Sequence, residues 1–223
     1  MKKFLFLVVA VGALYYFKPG LFPSFGKNGA FDSKGNPQVL VFTSKQCNDP
    51  CTRAVQDLRE RKVDFKEVVL DDNNENISRY EKLGGNGTIP LLAVGKLSVQ
   101  GYDKGMFASV LAQTYGDKAL TQLERIYYSR HFKADGTPAV YMYGATWCGF
   151  CTVMRNEMGK RKIDFAEVDV DTVADKAEIE YAMGLDYLPV TYVGYTRIVG
   201  AKSMDPVLDA VQDAVKTSAK RRM

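Results

Sequence analysis

The feature that most constrains this chain is that it repeats itself. Residues 61–71 read R-K-V-D-F-K-E-V-V-L-D and residues 161–171 read R-K-I-D-F-A-E-V-D-V-D, identical at seven of eleven positions. Cys51 matches Cys151 at the same offset, and Pro90/Pro189 and Gly101/Gly200 follow in order at an offset of 99. Collinear matches of this kind point to duplication. The period is too long for a solenoid and is the size of one small domain. The 223 residues therefore divide into two homologous units, 37–116 and 137–217, with a linker helix over 117–136 between them and a basic tail at 218–223.

Each unit shows the same order of signals. Val39-Leu40-Val41-Phe42 and Val140-Tyr141-Met142-Tyr143 are apolar runs that read as buried strands. A cysteine pair follows each, then helical stretches at 52–61 and 152–161. Second strands are expected at 65–70 and 165–170, and second helices at 74–83 and 173–183. An Ile89-Pro90 or Leu188-Pro189 step leads into a further strand, a turn at Gly95 or Gly194, a last strand and a last helix, with Asp103 and Ser203 as N-caps. The order is β-α-β-α-β-β-α. The crossover helix implies a parallel strand pair and an α/β fold.

The N-terminus is separate. Lys2 and Lys3 precede an apolar run, Phe4 to Phe17, closed by Lys18-Pro19-Gly20. That run is short for a membrane span, which wants about 20 residues. It reads as an export signal over residues 1–22, retained as a short anchor rather than cleaved. The bland alternative is a buried helix of a soluble domain. The basic start places the rest of the chain outside the cytoplasm, anchored in the inner membrane and facing the periplasm. Cleavage would instead leave a soluble periplasmic protein. Residues 23–36, rich in Gly, Pro, Phe, Ser and Lys, read as a tether.

Composition removes several function classes. A net charge of +4 is too mild to argue for nucleic acid. The single histidine, His131, excludes multi-histidine metal chemistry and reads as a surface residue of the linker helix rather than a catalytic base. The tail ending Lys220-Arg221-Arg222 reads as a solvated helix end, with an anionic lipid or acidic partner as the alternative.

The chemistry lies in the four cysteines. Cys148-Gly149-Phe150-Cys151 falls between a strand and a helix, where Cys-x-x-Cys is a redox motif. Cys148 is placed at the helix start, whose amides and dipole favour a thiolate. A thiol of pKa about 8.5 is only about 3% ionised at pH 7, and lowering it to about 6 needs about 3.4 kcal/mol. Cys151, one turn in, is the resolving thiol. Cys47-Asn48-Asp49-Pro50-Cys51 has one more residue in its spacer. Pro50 suits the first helical position and Asp49 its cap. The extra residue and the Asp49 charge disfavour a Cys47 thiolate, with Lys45 offsetting part of that. This pair is either a stable or regulatory disulfide or a second redox centre. A zinc site built from all four cysteines is the weaker alternative.

The strand, the Cys-x-x-Cys at a helix start and the later X-Pro step resemble the thioredoxin fold. The short unit resembles glutaredoxin in particular. Thr88-Ile89-Pro90 and Gly101-Tyr102-Asp103 are similar to its Thr-Val-Pro and Gly-x-Asp elements. Ala145-Thr146-Trp147-Cys148-Gly149 resembles the thioredoxin active-site run. Gly200-Ala201-Lys202-Ser203 departs from the Gly-Gly and acidic ending. The resemblance implies tandem thioredoxin-fold domains and a thiol–disulfide oxidoreductase using Cys148, Cys151 and Pro189. It implies cis peptides at Pro90 and Pro189, and substrate contacts from Trp147, Phe150, Leu188, Ile89, Gly101 and Asp103. It also implies protein disulfides or glutathione as substrates, glutathione as a cosubstrate, a thiol reductant or oxidant as partner, and no tightly bound cofactor or metal. A redox-inert adaptor that binds a protein partner is the competing reading.

Overall fold

In a computed structural model, residues 29–200 and 205–221 are described. The expected signal segment 1–22 with its apolar run, residues 23–28 of the tether, the Ser203 cap and the last two residues of the tail lie outside them. Unit 1 runs β1 (Val39–Thr43), α1 (Asp49–Glu60), β2 (Lys66–Val69), α2 (Asn74–Lys82), β3 (Leu91–Val94), β4 (Leu97–Gln100) and α3 (Lys104–Tyr115). After a short helix α4 (Gln122–Tyr128), unit 2 repeats the series. It runs β5 (Val140–Gly144), α5 (Gly149–Lys160), β6 (Phe165–Asp169), α6 (Lys176–Met183), β7 (Val190–Val193), β8 (Thr196–Val199) and α7 (Asp205–Arg221).

The two sheets have the same strand order, β2-β1-β3-β4 and β6-β5-β7-β8. In each, the first strand pairs in parallel with the second and antiparallel with the third. β1 is buried along its whole length, as its unbroken apolar run requires of a central strand covered on both faces. The shared Arg-Lys turn has a common backbone cause. Lys62 and Lys162 both take φ of 55° at the end of the first helix of their unit, reversing the chain into the second strand.

The repeat reaches further upstream than 37 and 137. Phe31 bridges Pro37 as Phe132 bridges Pro138, around matching turns. Ala30 is buried and its N–H donates to the Gly95 carbonyl at 2.6 Å. The tether expected to end at residue 36 thus closes the edge of unit 1 from Ala30 onward.

Two further expectations are corrected. The linker is not one helix. It is a 3₁₀ turn (Gly116–Ala119), α4 and a second 3₁₀ turn (Ser129–His131), because Thr121 starts a new capping box with Glu124. His131 is not on the surface. It is fully buried, 3.0 Å from the Tyr143 hydroxyl and stacked on Tyr192 at 4.4 Å. It holds the place in unit 2 that Ala30 holds in unit 1: the carbonyl of each accepts from the N–H of the residue that follows the bridging proline, Gln38 for Ala30 and Ala139 for His131, each at 2.8 Å. Burial pushes its pKa down to about 3, so it is neutral at ordinary pH.

The units share a core. α3 turns Met106, Phe107, Val110 and Leu111 toward unit 1, while Ala108 and Ala112 pack with Tyr127, Tyr128, Ile179 and Tyr192. Polar contacts cross the same seam. Arg61, fully buried, bonds Asp57 on its own helix and both carboxylate oxygens of Glu124 on α4. Ser109 donates to the Tyr195 carbonyl at 2.7 Å.

Candidate active site

Each cysteine pair spans the junction of the loop after the central strand and the first turn of the following helix, and both are joined: Cys47–Cys51 and Cys148–Cys151, with Cα atoms 5.7 and 5.2 Å apart. Their settings differ. Cys148 is itself the N-cap of α5, and its sulfur accepts the Cys151 N–H at 3.1 Å. It thus satisfies one of the amides that a helix start leaves unpaired. Cys148 is 5% exposed and Cys151 is fully buried, and both pack with Ala145 and Leu188.

In unit 1 the N-cap of α1 is Asn48, not Asp49, and no side chain caps that helix. Pro50 takes a first-turn position and removes an N–H. Asp49 lies inside the first turn and pairs with Arg53 at 2.9 Å. Lys45, expected to offset Asp49, reaches Asp72 instead. Cys47 therefore sits one step before the cap, partly exposed, while Cys51 is buried in α1. Ile89 packs with the cluster of Leu40, Phe42 and Tyr80.

The Ile89-Pro90 and Leu188-Pro189 peptides are both cis. Gly101 and Gly200, at φ of 72° and 85°, each donate their N–H to the carbonyl of the cis-proline of their unit at 2.8 Å. That ties the last strand to the proline step, and the positive φ explains the glycine. Asp103 has two tasks. It caps α3 through the Met106 N–H and accepts from buried Arg197 of unit 2 at 3.0 Å. Its carboxylate is thus engaged at the seam between the units.

The rim around Cys148 is aromatic. Trp147 is 73% exposed and Phe150 69%, with Tyr187 exposed beside Leu188. The indole of Trp147 is nonetheless fixed, since its N–H donates to Asp171 at 2.5 Å. Lys176, and then that indole, hold the Asp171 carboxyl below its ordinary range. The matching positions in unit 1 are Gln46, Pro50 and Thr88.

Sequence reasoning missed three features here: the Asp171 anchor, the Arg197–Asp103 pair, and an Arg155–Glu167 pair beside Cys151. One signal was readable. Gly144 stands where unit 1 has Thr43, and Arg155 where it has Val55. A hollow in unit 1 lined by Ser44, Leu70, Asp71, Ile77, Tyr80 and Glu81 includes no cysteine. Among the described residues, no group of three or more His, Cys, Asp or Glu side chains is placed to hold a metal ion.

The glutaredoxin family model matches twice, at residues 39–99 and 139–198, which is more than half the chain. The chain belongs to the glutaredoxin family. Its two units are tandem thioredoxin-fold domains. A glutaredoxin of Pseudomonas aeruginosa is 33% identical over 67 residues, covering 30% of this chain and 79% of its own length. Among solved structures, the holo form of glutaredoxin C1 from Populus tremula x tremuloides is 17% identical with a TM-score of 0.35. It is covered over 99% of its length by 42% of this chain. A buckwheat glutaredoxin–glutathione complex is 16% identical with a TM-score of 0.30, at 44% of this chain and 87% of that one.

Proposed function

We propose that this glutaredoxin-family chain is a thiol–disulfide oxidoreductase whose attacking centre is Cys148–Cys151. Polypeptide disulfides are its main substrates and glutathione a cosubstrate. The observation that carries this reading is the Cys148 sulfur capping α5 at 3.1 Å from the Cys151 N–H, inside a rim of exposed aromatics. In the reduced protein the Cys148 thiolate attacks one substrate sulfur. A mixed disulfide forms, and the other substrate sulfur leaves as thiolate. Cys151 then attacks Cys148, closing the protein disulfide and releasing the second substrate thiol. Two electrons from a thiol reductant reset the pair. Run in reverse, the same steps donate a disulfide, and the reduction potential sets the direction.

The rim fits a polypeptide. A fixed, exposed Trp147 beside Phe150 and Tyr187 offers apolar area at little ordering cost, as aromatic anchors do at protein interfaces. Export is part of the proposal. Lys2 and Lys3 ahead of Phe4–Phe17 support a membrane-anchored N-terminus with both units outside the cytoplasm. Among the described residues no helix is long and apolar enough to cross a membrane; the run itself lies outside them.

Cys148→Ser should abolish disulfide reductase activity and Cys151→Ser should trap mixed disulfides. Substantial activity in Cys148→Ser would refute the assignment. Alkaline phosphatase fused after Lys220 should be active in intact cells. An inactive phosphatase with an active cytoplasmic reporter at the same site would refute export.

A further inference from the structure

Gly144 ends β5 beside the cysteine loop, and its missing side chain leaves a small space with two groups facing it. An ideal Cβ there would lie 2.9 Å from Glu167 Oε1 and 3.3 Å from Cys151 Sγ. The carboxylate and the buried sulfur thus flank the same bare glycine. Glu167 is held in place. Arg155 Nε donates to both of its oxygens at 2.9 and 2.8 Å, while Arg155 Nη2 donates to the Ala145 carbonyl and Nη1 to Thr152 Oγ1. The three atoms nearest to the Gly144 position are Glu167 Oε1 and the Sγ and Cβ of Cys151, so a carboxylate oxygen of the pair borders the space beside Cys151.

Unit 1 lacks this arrangement. Thr43 fills the position of Gly144 and donates its hydroxyl to Glu67 at 2.8 Å, and Val55 stands where Arg155 would be. The glutamate is common to both units; the opening toward the second cysteine and the arginine that steers the carboxylate occur in unit 2.

We propose that Glu167, oriented by Arg155 across Gly144, is a positioning residue that keeps the Cys151 thiol protonated in the reduced pair and so leaves the thiolate on Cys148. A nearby carboxylate disfavours a thiolate, and burial acts in the same direction. The helix start acts oppositely on Cys148. The charged and titratable groups around Cys151 are Cys148 and Arg155 from α5 and Glu167 from β6. Gly144 at the end of β5, Ala145 just after it and Leu188 of the proline loop bring no charge. Asp169 of β6 is engaged with the Thr146 N–H at 3.1 Å. Arg155 tempers the field of Glu167, so the two residues push the Cys151 midpoint in opposite directions.

The inference rests on the dithiol reading of this pair, but its test requires no turnover. The full-length chain carrying Cys148→Ser is reduced, and the Cys151 Cβ carbon shift is followed by NMR across pH. Adding Glu167→Gln should lower the Cys151 midpoint by about one pH unit. Adding Arg155→Gln should raise it, because the carboxylate loses its counter-charge. Shifts of opposite sign are the expected result, since a merely structural contact would move both variants the same way. Unchanged midpoints, or shifts of the same sign, overturn the proposal. If Glu167→Gln does not fold, Arg155→Gln decides alone: a rise supports the proposal, and a fall or no change refutes it. Absence of reductase activity in the wild-type chain would count against the oxidoreductase reading and leave this titration untouched.

Discussion

The two units carry the same strands in the same order, the same left-handed lysine and the same cis-proline step, yet their cysteine loops are built differently. In unit 2 the first cysteine is the helix cap and its sulfur receives an amide N–H. In unit 1 the extra residue puts Asn48 at the cap, with no side chain bonded to the helix start, and sets Cys47 outside it. The rims follow suit: Trp147, Phe150 and Tyr187 against Gln46, Pro50 and Thr88. One inserted residue in a loop leaves the scaffold intact and changes the electrostatic setting of a sulfur. The fold is fixed by the buried strands, whereas reactivity is fixed by register against a helix end.

The sharpest way to break this comparison is to exchange the losses. Cys47→Ser should leave most of the reductase activity that Cys148→Ser removes. Equal losses would mean that the two centres work in series.

The next largest effect concerns the shared arginine of the repeat. Arg61 is buried between Asp57 and Glu124, whereas Arg161 is partly exposed, 3.8 Å from Asp205. Glu124→Ala leaves a buried guanidinium short of a partner and should cost about 3–5 kcal/mol in denaturant unfolding. Arg161→Ala should cost about 0.5 kcal/mol or less.

His131 against Ala30 gives a pH-dependent contrast. The folded pKa of about 3 lies below the ordinary 6.5, so between those values the unfolded chain binds a proton that the folded chain does not. The contribution is complete above pH 6.5 and is lost as pH falls, by at most about 1.4 kcal/mol per unit. The stability gap between wild type and His131→Phe should therefore shrink on acidification from pH 7 to 5. A constant gap would show that the imidazole is not neutral by burial.

The smallest of these effects is at the rim. Trp147→Ala should raise KM for a polypeptide disulfide severalfold, on the order of 1 kcal/mol, and Gln46→Ala should not. Equal effects on a small disulfide and on a polypeptide would argue against the docking role.

Much of this was legible beforehand. The offset repeat, the apolar strands and the X-Pro steps led to the element order, because buried central strands and turn residues leave strong local patterns. The cysteine spacing led to the site. What could not be read depends on contacts far apart in sequence. His131 shows no apolar period of its own and is buried by tyrosines from three separate segments. Asp103 looked like a cap and a ligand group, and its pairing with Arg197, 94 positions away, has no local signature. Proximity in sequence suggests that Lys45 offsets the Asp49 charge, but Lys45 pairs with Asp72 and Asp49 with Arg53.

The most direct test of the central claim is to reduce all four cysteines and alkylate across a pH series, reading each residue by mass spectrometry. Cys148 should titrate about one unit below Cys47, worth up to tenfold in thiolate fraction. The rate advantage at neutral pH should be only severalfold, because a lower pKa also weakens the nucleophile. Equal midpoints, or a lower one for Cys47, would contradict the account and move the principal centre to unit 1.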